Sequence, residues 1–302
     1  MMRRLGRLFA HISIWGILSV SVPAQTSSGQ ISGIVVDPSG AAITGAVVTL
    51  TNQATSEVRI DKTEGSGEFV FVAVQPGIFT VSITEPSFKK YEKRNLVLHA
   101  SDRLATGSIQ LEVGRATESI DVQADQTPIQ TESSERSAVL DSKEMSTLMT
   151  SSRDVTQLLR VLPGVVKDGA PGGQFGGSQN AGNINGVRGD SNSLSVDGTT
   201  GNTRGGANLD TPANFDSVGE VKVLLNNYQA EYGQAAGSIV ELVTKSGTRD
   251  FHGSAYYYNR NEFYGASSPF FIPSSTVPKS PPLRNQNWGG SVGGPIFKDK
   301  TF

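Results

Sequence analysis

VGEVKVLLNNYQAEYGQAAGSIVELVTKSGT, residues 218–248, is the stretch that decides the fold. It reads as a short strand over 220–225, a polar turn carrying Tyr228 and Tyr232, and a second strand over 238–244. Gly233 and Gly237 bracket the turn, and Gly247 follows the last strand. Upstream the texture is that of compact folding units. Downstream it becomes aromatic, glycine-rich alternation. Such a junction predicts a globular element that feeds directly into a large sheet.

The whole chain supports that division. Its 302 residues are enough for two or three small domains. A net charge of -2 with scattered Lys and Arg and no basic stripe argues against a nucleic-acid partner. Apolar residues make up 36%, too few for one large core, and 34 glycines point to turns and extended structure. With no cysteine, neither a disulfide framework nor a thiolate metal site is possible. Arg3, Arg4 and Arg7, then an apolar run over 8–22, then Val22-Pro23-Ala24, predict a signal peptide over 1–24, cleaved after Ala24. The run is short of the ~20 residues of a spanning helix. No later segment is apolar enough to span as one, so any membrane insertion has to use strands.

Between residues 30 and 113 short strands follow one another: 30–36, 45–50, 68–74, 78–83, 96–100 and 106–111, with turns at 37–40, 61–67 and 75–77. Ala46, Val48 and Leu50 share one face. Six or seven such strands with no helical period predict a small β-sandwich. Gly33-Ile34-Val35-Val36-Asp37 with Gly40, Gly45-Ala46-Val47-Val48, Gly67-Glu68-Phe69 and Pro76-Gly77-Ile78-Phe79 resemble the carboxypeptidase regulatory-like, transthyretin-like domain, assigned to 25–113. Ile43-Thr44 stands where that family often has a proline, and Ser87 precedes Phe88 where it usually has a glycine. No peptidase chemistry accompanies the resemblance. His11, His99 and His252 form no zinc spacing, and His99 reads as a surface or strand-edge residue. No cofactor or metal is expected.

Residues 114–130 read as a polar linker. Within it Glu118, Ser119, Ile120, Asp121, Val122, Gln123 and Ala124 form an island of alternation. The island is either the first strand of the next domain or a segment that a partner captures as an added strand. Two short helices are predicted next. Asp141-Ser142-Lys143-Glu144 has capping-box spacing before Met145, Leu148 and Met149. Ser151 or Ser152 is placed to cap a second helix with Val155, Leu158, Leu159 and Leu162 on one face, ended by Pro163-Gly164. A glycine- and asparagine-rich region then holds strand islands at 183–187 and 193–196. Val187-Arg188-Gly189 and Val196-Asp197-Gly198 lie beside them, and an Arg188–Asp197 pair is plausible. Neither a GxGxxG nor a GxxxxGK[ST] motif occurs in this region, so nucleotide binding has no support.

The order of these pieces, with Glu220-Val221-Lys222-Val223, Ala230-Glu231-Tyr232-Gly233 and Val243-Thr244-Lys245-Ser246-Gly247-Thr248, resembles a TonB-dependent outer-membrane receptor of the Oar-like branch. The resemblance implies a fold that is mainly β with a small α/β plug. Its parts are the N-terminal sandwich, a mixed plug domain over 131–247 and the first strands of an outer-membrane β-barrel over 248–302. It implies a TonB box near Glu118 to Ala124, and gating or structural roles for Arg188, Gly189, Asp197 and Gly198 in the plug's arginine-glycine and aspartate-glycine motifs. It also implies three partners: a TonB-type energy-transducing protein of the inner membrane, outer-membrane lipid around the full barrel, and an extracellular ligand. Met149-Thr150-Ser151-Ser152-Arg153 departs from the branch's usual run at that point.

The tail agrees on physical grounds. Residues 251–260 alternate, with Phe251, Ala255 and Tyr257 on one side and His252, Ser254 and Tyr256 on the other. Tyr256, Tyr257 and Tyr258 suit a membrane-interface girdle. A Ser/Pro-rich loop follows, then a strand over 285–293, which the resemblance makes the second barrel strand, so that a third starts at the end of the sequence. A closed barrel needs about 8 strands, so the sequence reads as an N-terminal fragment or a truncated product. Ser87-Phe88-Lys89-Lys90, Ser178-Gln179-Asn180 and Lys245-Ser246-Gly247 occur in penicillin-binding-protein order. Ser87 nevertheless follows a β-rich run rather than opening a helix, so no enzyme is expected. Asp190 and Asp197 as a sugar-cleaving carboxylate pair have nothing to fix their separation. A receptor and transporter for an unidentified ligand, and a surface adhesion module that binds a glycan or protein without transport, both remain open at this stage.

Overall fold

In the computed structural model the described residues are 27–114, 119–123, 132–148, 153–166, 179–180, 182–203, 206–209, 213–230, 232–233, 235–264 and 284–297. The signal segment, Met149, Ser151, Ser152 and most of the Ser/Pro-rich loop lie outside them.

Eight strands build the first domain: β1 (Gly29–Val36), β2 (Val47–Asn52), β3 (Val58–Lys62), β4 (Glu68–Val74), β5 (Gly77–Thr84), β6 (Lys90–Leu98), β7 (Arg103–Gln110) and β8 (Ser119–Gln123). They form two sheets, β4-β1-β7 and β3-β2-β5-β6-β8. The predicted alternation is what closes the core: Ala46, Val48 and Leu50 turn inward with Val81 and Ile83 against Ile31, Val35, Phe69 and Phe71 of the facing sheet. Gly33 has to lack a side chain, since a Cβ there would stand 2.1 Å from Thr106 Oγ1 and 2.8 Å from the Phe69 ring. Two expectations are corrected. The turn placed at 61–67 gives up Asp61 and Lys62 to strand β3, which pairs with β2. The strand placed at 96–100 begins at Lys90.

The second domain contains β9 (Arg136–Asp141), α1 (Ser142–Thr147), a 3-10 turn over Val155–Val161, β10 (Val165–Val166), β11 (Gln179–Asn180), β12 (Asn183–Ile184), β13 (Ser193–Val196), β14 (Thr199–Thr200), β15 (Asn202–Thr203), β16 (Gly206–Leu209), β17 (Val218–Asn226) and β18 (Ile239–Thr244). Its main sheet runs β14-β13-β18-β17-β9, with β13 and β18 parallel and the other neighbours antiparallel. The capping box forms as its spacing predicts: Asp141 Oδ1 accepts from Glu144 N at 2.7 Å, and Glu144 reaches back to Asp141 N. The second helix is a 3-10 turn capped by Asp154, whose carboxylate accepts from Thr156 N at 2.9 Å, rather than by Ser151 or Ser152. Met145, Val155, Leu158 and Leu159 cover one face of the sheet, packing on Val221, Val223, Leu225, Val240 and Leu242. The turn between β17 and β18 is fastened by Tyr228, whose hydroxyl donates to Ala235 O or Gly237 O at 3.0 and 2.8 Å.

The opposite sheet face carries Glu220, Lys222 and Leu224 of β17 and Ile239 and Glu241 of β18, with Lys222 directly across from Glu241. Beyond the sheet, β19 (His252–Asn261) and β20 (Arg284–Gly293) form an antiparallel pair in register along their whole length. Tyr257 lies opposite Trp288 and Gly253 opposite Val292 on an exposed side, with Trp288 77% and Val292 88% exposed. The polar alternates Ser254 and Ser291 pair on the other side, their hydroxyls 2.9 Å apart.

Candidate functional site

The polar face of the main sheet meets the first domain at a buried seam. Between β6 and β7 the chain turns sharply through His99, Ala100, Ser101 and Asp102, with Ser101 at φ 57° and Asp102 N donating to His99 O at 3.2 Å. This turn sits on three charged residues of the sheet. Lys222 Nζ donates to Ala100 O and to Asp102 Oδ1, both at 2.7 Å. Its third partner is Glu135 Oε1 at 3.0 Å, just before β9. That contact is an ion pair without hydrogen-bond alignment, and neither buried oxygen of Glu135 has a hydrogen-bond partner. The Lys222 side chain is 0% exposed. Glu220 accepts from Ala100 N at 3.0 Å, and its other oxygen lies 2.9 Å from His99 Nδ1. Ser101 Oγ donates to Glu241 Oε2 at 3.1 Å.

These contacts set the titration of the seam. The hydrogen bond to Glu220 raises the His99 pKa, against an opposing effect of burial and with help from the Glu220 charge. Burial raises the Glu241 carboxyl, only partly countered by Ser101 and Lys222. For Lys222 burial pushes downward, but the charge and hydrogen bond of Asp102, then Glu135, outweigh it and the net direction is up. Removing one partner from such a buried pair costs about 3–5 kcal/mol, because the other charge is left in a dry site.

A second seam joins the sheet to β19. The Arg153 guanidinium lies between two rings, 4.0 Å from the centre of Phe215 and 3.9 Å from that of Tyr258, and pairs with Asp216. Beside it Asn214 Nδ2 donates to Tyr256 Oη at 3.2 Å. Tyr256 and Tyr258 therefore face the second domain, and of the three tyrosines only Tyr257 stands on the outward side. The girdle reading of Tyr256 and Tyr258 is corrected: strand alternation sends neighbouring tyrosines to opposite faces.

Sequence reasoning placed functional weight on two motifs that do not meet as proposed. Asp197 and Gly198 are the two central residues of the β13–β14 hairpin, at φ 48° and 77°. The Asp197 carboxylate accepts from Thr244 N and from Thr244 Oγ1, both at 2.8 Å, which clasps the hairpin to the end of β18. Arg188 is exposed, and among the described residues no ion pair joins it to Asp197. The Thr244 clasp has already taken both carboxylate oxygens. Gly189 N donates to Asn183 Oδ1 at 2.9 Å, a local closure of the loop. Of the alternating island, Ser119 to Gln123 form β8, paired in parallel with β6 from Lys90–Ser119 to Arg94–Gln123. Glu118 and Ala124 lie outside the described residues. Residues 119–123 therefore close the first domain instead of opening the second, taking the edge of β6. Ser87 lies in a turn at φ 79° rather than at a helix start, and Lys90 is paired with Glu92 in β6; Ser178 lies outside the described residues.

Three family models match the chain in succession: a carboxypeptidase regulatory-like domain over 30–127, a TonB-dependent receptor plug domain over 129–239 and an outer membrane beta barrel domain over 243–302. The chain belongs to the TonB-dependent outer-membrane receptors. Its first domain is the regulatory-like sandwich, its second the plug, and β19–β20 match the barrel. The match to an outer membrane beta barrel domain places it in the outer membrane. The TonB-dependent transporter Oar of Myxococcus xanthus is 24% identical over 291 residues, which cover 92% of this chain and 26% of that protein. The chain thus spans about a quarter of that relative's length. Among solved structures, a mutant of the ferric enterobactin receptor PfeA of Pseudomonas aeruginosa is 21% identical, with TM-score 0.38 over 54% of this chain and 22% of that chain. The siderophore receptor PirA of Acinetobacter baumannii is 22% identical, with TM-score 0.38 over 54% and 22%.

The residues that build the two seams were missed in the sequence. Lys222 and Glu220 alternate with Val221 and Val223, the usual signature of a solvated strand face. The available signal was Leu224 on the same face, an apolar residue that solvent exposure does not explain. His99, read as a surface or strand-edge residue, is half-buried against Glu220.

Proposed function

We propose that this chain is the N-terminal part of a gated outer-membrane receptor and transporter. Its plug holds the pathway closed until an inner-membrane TonB-type protein captures the segment from Glu118 to Ala124. The ligand is extracellular, and the complete barrel embeds the protein in outer-membrane lipid. The observation that carries the coupling role is the position of β8 at the end of the order β3-β2-β5-β6-β8. An edge strand presents a row of backbone donors and acceptors to an incoming strand. It can be extended by a partner without first leaving β6, and it lies directly before the plug in sequence. Asp197 and Gly198 serve this plug as a structural clasp, and Gly189 as a loop closure.

Prolines test the reading. Successive residues of a strand turn their N–H groups to opposite edges, so Ile120→Pro and Asp121→Pro report one edge each. Proline removes a donor and fixes φ. The variant directed at the outer edge is expected to abolish energised uptake while surface expression and ligand binding stay normal. Undiminished uptake in a variant that retains the β6 pairing would contradict the proposed coupling.

A further inference from the structure

We propose that Lys222 links two events, docking of the sandwich onto the plug and retention of the plug's edge strand β9, into one equilibrium. An ammonium group has three donors. Here two donate to the sandwich, at Ala100 O and Asp102 Oδ1, and the charge is also paired with Glu135, which lies 3.0 Å away and precedes β9. β9 is the terminal strand of the main sheet and pairs only with β17 among the described residues. Glu220 and Glu241 flank Lys222 on the same face, and the sandwich turn neutralises or bonds both. If the sandwich leaves, Lys222 loses two acceptors in a site that has excluded water, and three carboxylates around it lose their other partners or their dry enclosure. If Glu135 leaves, Lys222 stays buried under the sandwich with one counter-charge fewer to offset its lost hydration, so the docked state becomes the costlier one. Each event therefore lowers the cost of the other.

The route of the chain adds to this. Residues leading from β8 to β9 are anchored twice on the seam, through Ser32 Oγ donating to Glu132 Oε1 at 2.7 Å and through Glu135 on Lys222. A load applied at β8 meets the sandwich contact and then the Lys222 contact before it reaches β9; this last statement rests on the coupling role proposed above, whereas the linkage itself does not.

The test is hydrogen exchange resolved by segment in the 302-residue chain. Glu135→Gln changes a residue outside the 99–102 turn, and Asp102→Asn changes one outside β9. Linkage predicts that Glu135→Gln accelerates exchange at Ala100 and Asp102, and that Asp102→Asn accelerates exchange over Arg136–Asp141. Each effect should be about fivefold or more, the range for residues of one network, with β2 and β5 unchanged. Lys222→Met should accelerate both segments together. If Lys222→Met does not fold, the two milder variants carry the test alone. Glu135→Gln acting only on β9 and Asp102→Asn acting only on the turn would overturn the proposal, whatever the outcome of the transport experiment.

Discussion

Asp197 is the place where a motif residue can be separated into its physical parts. Its carboxylate accepts two hydrogen bonds from Thr244, both at 2.8 Å, and its backbone lies at φ 48°, where Asp is tolerated and Ala is strained. Hydrogen bonds to an ionised acceptor are worth roughly 1.5–3 kcal/mol each, and for this part-buried pair the lower end applies. Asp197→Ala should therefore destabilise the hairpin clasp by about 4 kcal/mol, of which about 1 kcal/mol is backbone strain. Asp197→Gly removes the strain and should cost about 3 kcal/mol, while Asp197→Asn keeps an acceptor and the backbone tolerance and should cost about 1 kcal/mol. Native-state hydrogen exchange over Ser193–Val196 and Ile239–Thr244 reads these differences locally, which a global melt of a multidomain chain does not. A loss of about 3 kcal/mol corresponds to about 100-fold faster exchange. Equal effects of Asn and Ala, or less than about tenfold for Ala, would refute the clasp. Arg188→Ala should leave the same amides unchanged, and matching acceleration would restore the Arg188–Asp197 pairing that the geometry lacks.

Two further predictions concern the seams. His99 has a raised pKa beside Glu220, with Asp102 and Lys222 as the other charges facing it, so its protonated form favours the docked sandwich. Its contribution is complete below the ordinary histidine value of about 6.5 and is lost as pH rises through the raised value; Glu241, also raised, has the same sign. Exchange at Ala100 should be slower in the parent than in His99→Gln at about pH 6, with the difference closing in mildly alkaline buffer. A difference that grows with pH would reverse the assignment. Arg153→Lys keeps the charge but loses the planar stack between Phe215 and Tyr258, worth about 1–2 kcal/mol. Tyr258 should then react faster with a nitrating reagent, while the outward Tyr257 stays as it was. Equal reactivity of Tyr258 in the two proteins would show that the stack does not hold β19 to the plug.

The elements most legible in the sequence were those whose residues satisfy a local rule. Ala46, Val48 and Leu50 alternate because one sheet face is the core, and Asp141 with Glu144 caps a helix start through bonds no longer than three residues. Asp197-Gly198, read in the sequence only as a charged residue before a glycine, is a turn of two left-handed residues in succession. What the sequence concealed depends on partners far along the chain. Val58 and Ile60 mark a strand, yet both point outward at a sheet edge, so β3 has no inward apolar row to announce it. Lys222 is buried by a turn some 120 residues earlier in the chain. Nothing in its neighbours distinguishes that from solvation except Leu224. Arg153 likewise acquires its meaning from Phe215 and Tyr258, two elements that only the fold brings together. Of the island over 118–124, residues 119–123 form a strand as their alternation suggests, but on β6 of the first domain rather than at the start of the second.

Because these 302 residues contain no cysteine, Gln123→Cys gives a single attachment point among them, at the end of β8. In the complete receptor, crosslinking from this position to the C-terminal domain of the TonB-type partner, with and without extracellular ligand, tests the coupling role most directly. The account predicts a crosslink that strengthens when ligand is bound and disappears in the outer-edge proline variant. A crosslink that is absent in both states, while Gln30→Cys captures the same partner, would place the coupling segment elsewhere in the chain.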